Sequence, residues 1–239
     1  MKKLDGKVSV ITGASTGIGK AVAEAFCSEG GKIVLAARNR DKLETVAEEL
    51  RSRGATALAV PTDISREAQV VALFEKAMLQ YGQVDILVNN AGIYEEAEFE
   101  ETSLDLWQKT IDINLTGAFL CTREALKIMK RQNSGRIVNI GSIAAQMPRP
   151  RGVAYNCSKM GVVALTKTAA LVGRRFGVTA SCIHPGNVTT SPGMTDPSEP
   201  SMPIEDLIKV ILAMATLSPQ ANMLETIVLP PAQLYLGRG

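Results

Sequence analysis

The feature that most constrains the fold is a regular alternation of short, β-branched apolar runs with longer segments of helical periodicity. From it we predict seven strands: Val8–Thr12, Lys32–Ala37, Ala55–Val60, Asp85–Asn89, Arg136–Ile140, Val178–Ile183 and Glu225–Leu229. Helical segments lie between them, near residues 17–29, 40–53, 65–81, 103–132, 152–175 and 204–217. Strand cores such as Ile33-Val34-Leu35 are continuously apolar, which is typical of strands buried on both faces. The sequence therefore predicts an α/β, Rossmann-type fold with a doubly wound, seven-stranded parallel sheet and helices on both faces.

Composition narrows the classes of protein that this chain can belong to. The 239 residues contain no linker-like change in composition and no internal repeat, so we predict one domain over residues 1–239. The 26 basic and 24 acidic residues nearly balance, which gives no support for nucleic acid or a membrane surface as a partner. No apolar run reaches the ~18 residues of a membrane span, and no apolar stretch follows the first basic residues. A cytoplasmic location is expected.

The cysteines and the single histidine argue against a metal site. Cys27, Cys121, Cys157 and Cys182 are widely spaced, form no CxxC pair and lie in mainly apolar stretches. We predict reduced thiols in or near the core rather than a disulfide framework or a zinc site. One histidine, His184, cannot build a His-rich metal centre, and its place at a strand end favours packing over chemistry.

A glycine-rich turn follows the first strand and runs directly into a helix. It reads Gly13-Ala14-Ser15-Thr16-Gly17-Ile18-Gly19, a GxxxGxG spacing that differs from the GxGxxG of many dinucleotide enzymes. It also lacks the Lys-Ser/Thr of a P-loop. Glycines allow a sharp turn and a close approach to a pyrophosphate, which the free N–H groups of the helix N-terminus would bind. The alternative is a turn that binds nothing, and the strand–turn–helix context favours the nucleotide.

The residues after the second strand indicate which nucleotide. A site for NAD usually places a carboxylate here to hold the ribose 2′-hydroxyl, whereas this chain has Ala37 and then Arg38. A guanidinium can bind a 2′-phosphate through two hydrogen bonds, so NADP(H) is favoured and Arg38 is assigned to the phosphate. For Arg40 a solvated position at the helix start is as good an interpretation.

A tyrosine and a lysine stand at helical spacing. Tyr155 and Lys159 are i and i+4 at the start of a predicted helix, so the phenol and the ammonium share a face. The positive charge stabilises a phenolate, as a phenolic acid or base requires. Ser142 follows the fifth strand and so lies at the same sheet edge as the glycine turn, where ligands of such sheets bind.

Together these motifs resemble the short-chain dehydrogenase/reductase family along nearly the full chain, and its beta-ketoacyl reductase-like members in particular. The matches occur in the family's order: Thr12–Gly19, Asp63-Ile64, Asn89–Gly92, Asn114, Ser142, Tyr155 with Lys159, and Pro185–Thr190.

The resemblance implies four catalytic residues. Tyr155 would exchange the proton with the carbonyl or alcohol, and Ser142 would orient the same oxygen. Lys159 would hold the nicotinamide ribose and stabilise the phenolate, and Asn114 would hold a water that relays protons to solvent. Asn114 could instead simply bridge groups inside the fold.

The resemblance also implies an NADP(H) site. Asp63 and Ile64 would contact adenine, although Asp63 could be an ordinary turn residue, and Val188 and Thr190 would hold the carboxamide. Asn89 could equally tie neighbouring strands together. The predicted cofactor-binding residues are Gly13, Ser15, Thr16, Gly17, Ile18, Gly19, Arg38, Asp63, Ile64, Asn89, Ala91, Gly92, Tyr155, Lys159, Pro185, Gly186, Val188 and Thr190.

The chain departs from the family in the substrate-covering segment. Only Ser191–Met202, rich in proline, precedes the next helix, so we expect a short cover and an open pocket. Met194 and Met202 are expected in a loop near the substrate entrance. Selectivity would then come from the opposite wall, formed by Ile93, Tyr94, Ala144, Gln146 and Met147. Arg149 and Arg151 could meet an anionic substrate or face solvent.

These features predict an NADP-dependent oxidoreductase that reversibly reduces a ketone or aldehyde to an alcohol. The alternative is a non-catalytic NADP-binding sensor or structural module on the same scaffold, which would not need the Asn114–Ser142–Tyr155–Lys159 set. The helices predicted at Ser103–Gln132 and Gly152–Arg175 carry apolar residues on more than one face, which favours a homotetramer or homodimer.

Overall fold

The computed structural model describes residues 2–190 and 199–234. The strands in these residues are β1 (Val8–Thr12), β2 (Lys32–Ala37), β3 (Ala57–Pro61), β4 (Ile86–Asn89), β5 (Gly135–Ile140), β6 (Val178–Pro185), β7 (Val188–Thr189), β8 (Met202–Pro203) and β9 (Glu225–Val228). The α-helices are α1 (Gly17–Ser28), α2 (Arg40–Ser52), α3 (Glu67–Tyr81), α4 (Leu104–Ile111), α5 (Gly117–Gln132), α6 (Val153–Gly173) and α7 (Ile204–Thr216). The seven predicted strands are all present, with small shifts at their ends.

The large sheet is parallel throughout and doubly wound, as predicted. Its order is β3-β2-β1-β4-β5-β6-β9, so the chain moves outward from β1 in one direction and then continues from β4 in the other. The strand order therefore reverses between β1 and β4. At such a switch point the loops after the two strands diverge and leave a crevice for a ligand.

Both faces of the sheet are covered. Along β1, Ile11 packs in one core with Phe26 of α1 and Leu207 of α7, whereas Val10 packs in a second core with Leu73 of α3. This alternation follows from the two-residue period of a strand and accounts for the continuously apolar strand sequences.

The helix predicted over residues 103–132 is interrupted. Between α4 and α5 the chain forms a π-helical turn, Asp112–Thr116. The wider turn brings Asn114 against the main chain of Ile93, whose N–H donates to Asn114 Oδ1 at 2.8 Å and whose carbonyl accepts from Nδ2 at 2.9 Å. Single π turns inside helices are frequent at functional sites.

A two-stranded sheet of β7 and β8 was not predicted. The N–H of Met202 donates to the carbonyl of Asn187 at 2.9 Å, and the Met202 side chain is buried in the same core as Leu207. The expectation that Met202 lies in a loop at the substrate entrance is therefore wrong. Met194 lies outside the described residues, as do residues 191–198, so the predicted short cover remains an expectation.

The four cysteines are free thiols. Cys121 and Cys182 are buried and Cys27 is partly buried, whereas Cys157 is exposed on α6, so the core prediction is wrong for that residue. Residues 2–190 and 199–234 contain no cluster of side chains that could hold a metal ion. None of the helices described is both long and apolar enough to cross a membrane.

Candidate active site

Two adjoining cavities open at the carboxyl edge of the sheet. The first, of about 740 Å³, lies over the switch point, and the second, of about 540 Å³, lies beside it over β5 and β6. Ile18, Asn90, Gly92, Ile93 and Thr190 line both cavities, which therefore form one continuous cleft. These volumes are in the range of small-molecule and cofactor sites.

The glycine turn forms the floor of the first cavity. Gly13 has φ +65°, and a Cβ placed on it would lie 2.8 Å from Ala91 Cα, so a side chain is excluded there. A Cβ on Gly19 would overlap the carbonyl oxygen of Gly13. A Cβ on Gly17, at φ +54°, would meet nothing nearer than Thr190 at 3.8 Å, so this glycine faces the open cleft.

The end of helix α1 points into the same space. Its N-cap, Thr16, makes no side-chain hydrogen bond to the first turn, and that turn holds no acidic residue, as far as the described chain shows. The first N–H groups of the helix therefore remain available to an anion in the cleft. The glycine cradle and this uncapped helix end both fit the pyrophosphate of a dinucleotide.

Most predicted cofactor residues line one or both cavities. Those that do are Gly13, Ser15, Thr16, Gly17, Ile18, Arg38, Asp63, Ile64, Ala91, Gly92, Tyr155, Lys159, Pro185, Gly186, Val188 and Thr190.

Two predicted cofactor residues lie behind the cleft instead. Gly19 is needed for the close approach of α1 to the turn, as described above. Asn89 is buried, and its amide donates to Thr122 Oγ1 at 3.0 Å and to Asn139 Oδ1 at 2.8 Å. Its side chain thus ties β4 to α5 and β5 and is not available to a cofactor, so that assignment is corrected. The neighbouring Asn90 lines the cleft and donates to the carbonyl of Thr12 at 3.1 Å.

Two cations stand at one end of the first cavity. Arg38 follows β2, and Lys42 lies in the first turn of α2, where its N–H donates to the N-cap Asn39 Oδ1 at 2.9 Å. The sequence prediction missed Lys42, although its place one turn after the Asn39 cap could have indicated it. Arg40 is exposed and is not among the residues that line the cavity.

Asp63 combines the two interpretations left open for it. It lines the first cavity, and its Oδ1 accepts from the hydroxyl of Ser65 at 2.7 Å and from the N–H of Ser65 at 3.0 Å. It is therefore both a turn residue and a wall of the cleft.

Ser142, Tyr155 and Lys159 meet in the second cavity. Lys159 is buried, its Nζ donates to the carbonyl of Ile140 at 2.8 Å, and it lies 5.6 Å from the centre of the Tyr155 ring. Ser142 Oγ accepts from the N–H of Ala144 at 3.1 Å, which orients the hydroxyl at the start of a short turn. The end of β5 and the first turns of α6 thus bring a phenol, an ammonium and a hydroxyl together.

Asn114 lies next to this group without lining the cavities. Besides its two bonds to Ile93, its Nδ2 donates to Ser158 Oγ at 3.2 Å, and that hydroxyl donates to the carbonyl of Tyr155 at 2.7 Å. A Cβ on Gly92 would lie 3.3 Å from Asn114 Oδ1 and 3.8 Å from Lys159 Nζ. Asn114 is therefore near the lysine, and its side chain links the π turn to the tyrosine helix.

Tyr94 packs against Tyr155. The two rings meet edge to face at 4.9 Å, and the Tyr94 hydroxyl donates to the carboxylate of Glu96. Burial, together with that hydrogen bond, raises the pKa of Tyr94 to about 12. The Tyr94 phenol therefore stays protonated and is a poor acid near neutral pH, whereas Tyr155 is the residue predicted to act as the acid.

Only some of the residues predicted to form the substrate wall line the second cavity. Ile93, Tyr94 and Ala144 line the second cavity, but Gln146 and Met147 do not. Gln146 points instead to Glu225, to which it donates at 3.1 Å.

The two arginines near the entrance differ. Arg149 lines the second cavity and bonds to Asn187 and to Glu199, each at 3.1 Å. Arg151 is outside the lining and pairs with Glu98 at 3.0 Å.

The fold and the cleft define a class of protein, and comparison with known proteins identifies it. The family model for short chain dehydrogenases matches residues 7–200, so this chain belongs to the short-chain dehydrogenase family. Members of that family are oxidoreductases that act on alcohol and carbonyl groups with a nicotinamide cofactor.

Individual relatives agree with this placement. The chain is 39% identical over 191 residues to the 3-oxoacyl-[acyl-carrier-protein] reductase of Synechocystis sp., covering 80% of this chain and 77% of that protein. It is 37% identical over 203 residues to glucose 1-dehydrogenase 2 of Bacillus subtilis, covering 84% and 79%. A crystal structure of a short-chain type dehydrogenase/reductase from Mycobacterium marinum superimposes with a TM-score of 0.88 at 31% identity, covering 95% of this chain and 94% of that one.

Proposed function

We propose that this protein is an NADP(H)-dependent oxidoreductase that reversibly reduces a small-molecule ketone or aldehyde to an alcohol. The observation that carries the proposal is the meeting of Ser142, Tyr155 and Lys159 in a cavity continuous with the glycine-lined cleft. A cofactor in the first cavity and a carbonyl compound in the second would share the boundary between them.

The preference for NADP(H) rests on the charges at the end of the first cavity. Arg38 and Lys42 line the region beyond β2, where an NAD site would place a carboxylate. A planar guanidinium and an ammonium together suit a phosphate better than a hydroxyl.

The proposed chemistry divides between the cofactor and the chain. When bound, the nicotinamide supplies or accepts a hydride. Tyr155 gives its phenolic proton to the carbonyl oxygen as the alcohol forms. Ser142 donates to that same oxygen, since its Oγ already accepts from Ala144 N–H and its hydrogen is left for the substrate.

Lys159 and Asn114 support the tyrosine. One N–H of the Lys159 ammonium is fixed by the Ile140 carbonyl, which holds the charge beside the phenol ring. A positive charge there stabilises the phenolate left after proton transfer. We assign Asn114 to the relay that returns the proton, through a water at the π turn.

A panel of ketones tests the proposal directly. NADPH oxidation is followed by absorbance with small aliphatic ketones, aryl ketones, 3-keto esters and aldehydes, and the reverse reaction with the matching alcohols. We expect turnover with at least one class. NADPH binding without turnover on any of them would contradict the proposal and favour the non-catalytic sensor or structural module.

A further inference from the structure

The chain's single histidine lies directly behind Ser142. His184, at the end of β6, is fully buried, and its Nδ1 is 2.8 Å from the carbonyl oxygen and 3.3 Å from the amide nitrogen of Ser142. A Cβ placed on Gly141 would lie 2.7 Å from the same ring nitrogen, so the ring packs closely on this stretch of main chain. With a hydrogen on Nδ1 the ring donates to the Ser142 carbonyl at 2.8 Å, whereas a bare Nδ1 accepts from the Ser142 N–H at 3.3 Å and makes no hydrogen bond to the carbonyl.

The other ring nitrogen meets a carboxylate. His184 Nε2 lies 3.1 Å from Glu225 Oε1 on β9, and Lys167 of α6 pairs with Glu225 Oε2 at 3.0 Å. The hydrogen bond from Lys167, aided by one from Gln146, holds the pKa of Glu225 below its usual range. Glu225 is therefore an acceptor at neutral pH, and the hydrogen between it and His184 belongs to Nε2.

Glu225 holds the serine turn at both ends. Its Oε1 accepts from Gln146 Nε2 at 3.1 Å as well as meeting His184. The segment from Ser142 to Gln146 is thus held at its first residue through His184 and at its last residue by a direct hydrogen bond. Both contacts end on the carboxylate of Glu225, on the edge strand β9. Ser142 and Ala144 in this segment line the second cavity.

We propose that His184 and Glu225 are positioning residues that set the place of the Ser142 hydroxyl, and with it the orientation of the substrate oxygen. The inference rests on the proposed function. Neither side chain lines the cavities, so they act through Ser142 rather than on the substrate. A reacting group must be held within a fraction of an ångström, because small displacements cost large factors in rate.

The main test compares three variants with ethyl acetoacetate and saturating NADPH. Glu225→Ala removes both anchors, and we expect kcat to fall by ~10- to 100-fold, the scale of misplacing a reacting group, with little change in the Kd for NADPH. Glu225→Gln keeps a side-chain oxygen that can accept from His184 and Gln146, and should retain most of the rate. The control is Ser181→Ala, on β6 like His184. It removes a 2.8 Å hydrogen bond from the Ser181 hydroxyl to Asn222, which precedes β9, and it changes no contact of Ser142.

The outcomes separate positioning from general stability. A loss in Glu225→Ala no greater than in Ser181→Ala, or an equal loss in Glu225→Gln, would overturn the proposal. A parallel loss of NADPH affinity in Glu225→Ala would also overturn it, since the cofactor cleft should be untouched. If the wild type does not reduce ethyl acetoacetate, the same variants are compared on the panel ketone that it reduces fastest; a wild type that reduces no compound of the panel contradicts the proposed function, whereas the His184–Glu225 contact is then judged by its ring signals alone.

A second measurement does not depend on activity. Because the chain has one histidine, untagged protein labelled with ¹⁵N-histidine gives one set of ring signals in NMR spectra. We expect a protonated Nε2 whose signal moves in Glu225→Ala and stays in place in Ser181→Ala. An unchanged ring signal in Glu225→Ala would contradict the His184–Glu225 bond, whatever the kinetics show.

Discussion

At the scale of single residues, two positive charges line the first cavity where the proposed NADP(H) site would bind the 2′-phosphate. Arg38 lies at the end of β2 and Lys42 in the first turn of α2, and both side chains line the cavity. The two residues belong to different elements, but the end of the strand and the start of the helix line the same cavity wall, so both side chains can act on one ligand. The proposed preference for NADP(H) therefore rests on two residues.

Removing either cation should weaken the binding of NADPH more than the binding of NADH. Loss of one charge-assisted contact costs ~1.5–3 kcal/mol, so Arg38→Ala should raise the Kd for NADPH about 10- to 150-fold and leave that for NADH nearly unchanged. Lys42→Ala should act in the same direction, and Arg40→Ala, which changes an exposed residue outside the lining, is the control. Fluorescence titration checks this, and equal wild-type affinity for NADH and NADPH would refute it.

Thiol reactivity offers a second test at this scale. Burial raises the pKa of Cys27 to about 11, of Cys121 to about 12 and of Cys182 to about 11, so their reactive thiolates are scarce at neutral pH. Cys157 is exposed on α6. We expect one fast equivalent of labelling by a maleimide in the folded protein, lost in Cys157→Ser. Fast labelling that persists in Cys157→Ser would contradict the burial of the other three.

At the scale of elements, the sequence predicts long and periodic features better than short ones. Apolar runs and helical periodicity are strong for the seven sheet strands because burial on both faces requires them. The π turn at Asp112–Thr116 keeps the composition of a helix, so no residue type marks it. Strand β8 has two residues, Met202 and Pro203, too few to show any period, and its pairing depends on Asn187 from another loop.

The same limit applies to side chains in the site. The glycine turn and the Tyr155–Lys159 spacing are local patterns, whereas the contacts of Asn89 and His184 are made with residues from other elements. Such contacts are set by tertiary structure, so the sequence alone could place these residues at the sheet edge but could not assign their partners.

Met202 provides a test of the element it belongs to. It is 6% exposed in the core beneath α7, whereas Met147 is 48% exposed. Met202→Ala should lower the free energy of unfolding by ~2–5 kcal/mol, the cost of emptying a core site. Met147→Ala should change it by less than about 0.5 kcal/mol. Denaturant unfolding measures the free energy of unfolding of both variants. Equal values for Met202→Ala and Met147→Ala would place Met202 outside the core.

At the scale of the whole molecule, helices α5 and α6 expose apolar side chains to solvent. Phe119 on α5 is 46% exposed and Leu171 on α6 is 58% exposed. Apolar side chains repeated on the outer faces of neighbouring helices favour association of identical chains. We therefore keep the prediction of a homotetramer or homodimer.

Light scattering at micromolar concentration tests the assembly. We expect a mass that is a multiple of the 25.5 kDa chain, reduced in Leu171→Lys. Leu79→Lys is the control, because Leu79 is 90% exposed on α3 and belongs to neither of those two helices. A wild-type protein with the mass of one chain would contradict the prediction.

The proposed reaction depends on Tyr155 as the proton donor, and replacing this tyrosine by phenylalanine tests that role. Tyr155→Phe removes a hydroxyl and keeps the ring against Tyr94, so NADPH binding and the fold should persist. We predict that its kcat for the ketone reduced fastest by the wild type falls ~10²- to 10⁴-fold, the scale of general acid catalysis. Tyr94→Phe, which removes the neighbouring phenol, should change kcat by only a few-fold. A Tyr155→Phe protein that binds NADPH and keeps most of its kcat would show that the proton comes from elsewhere.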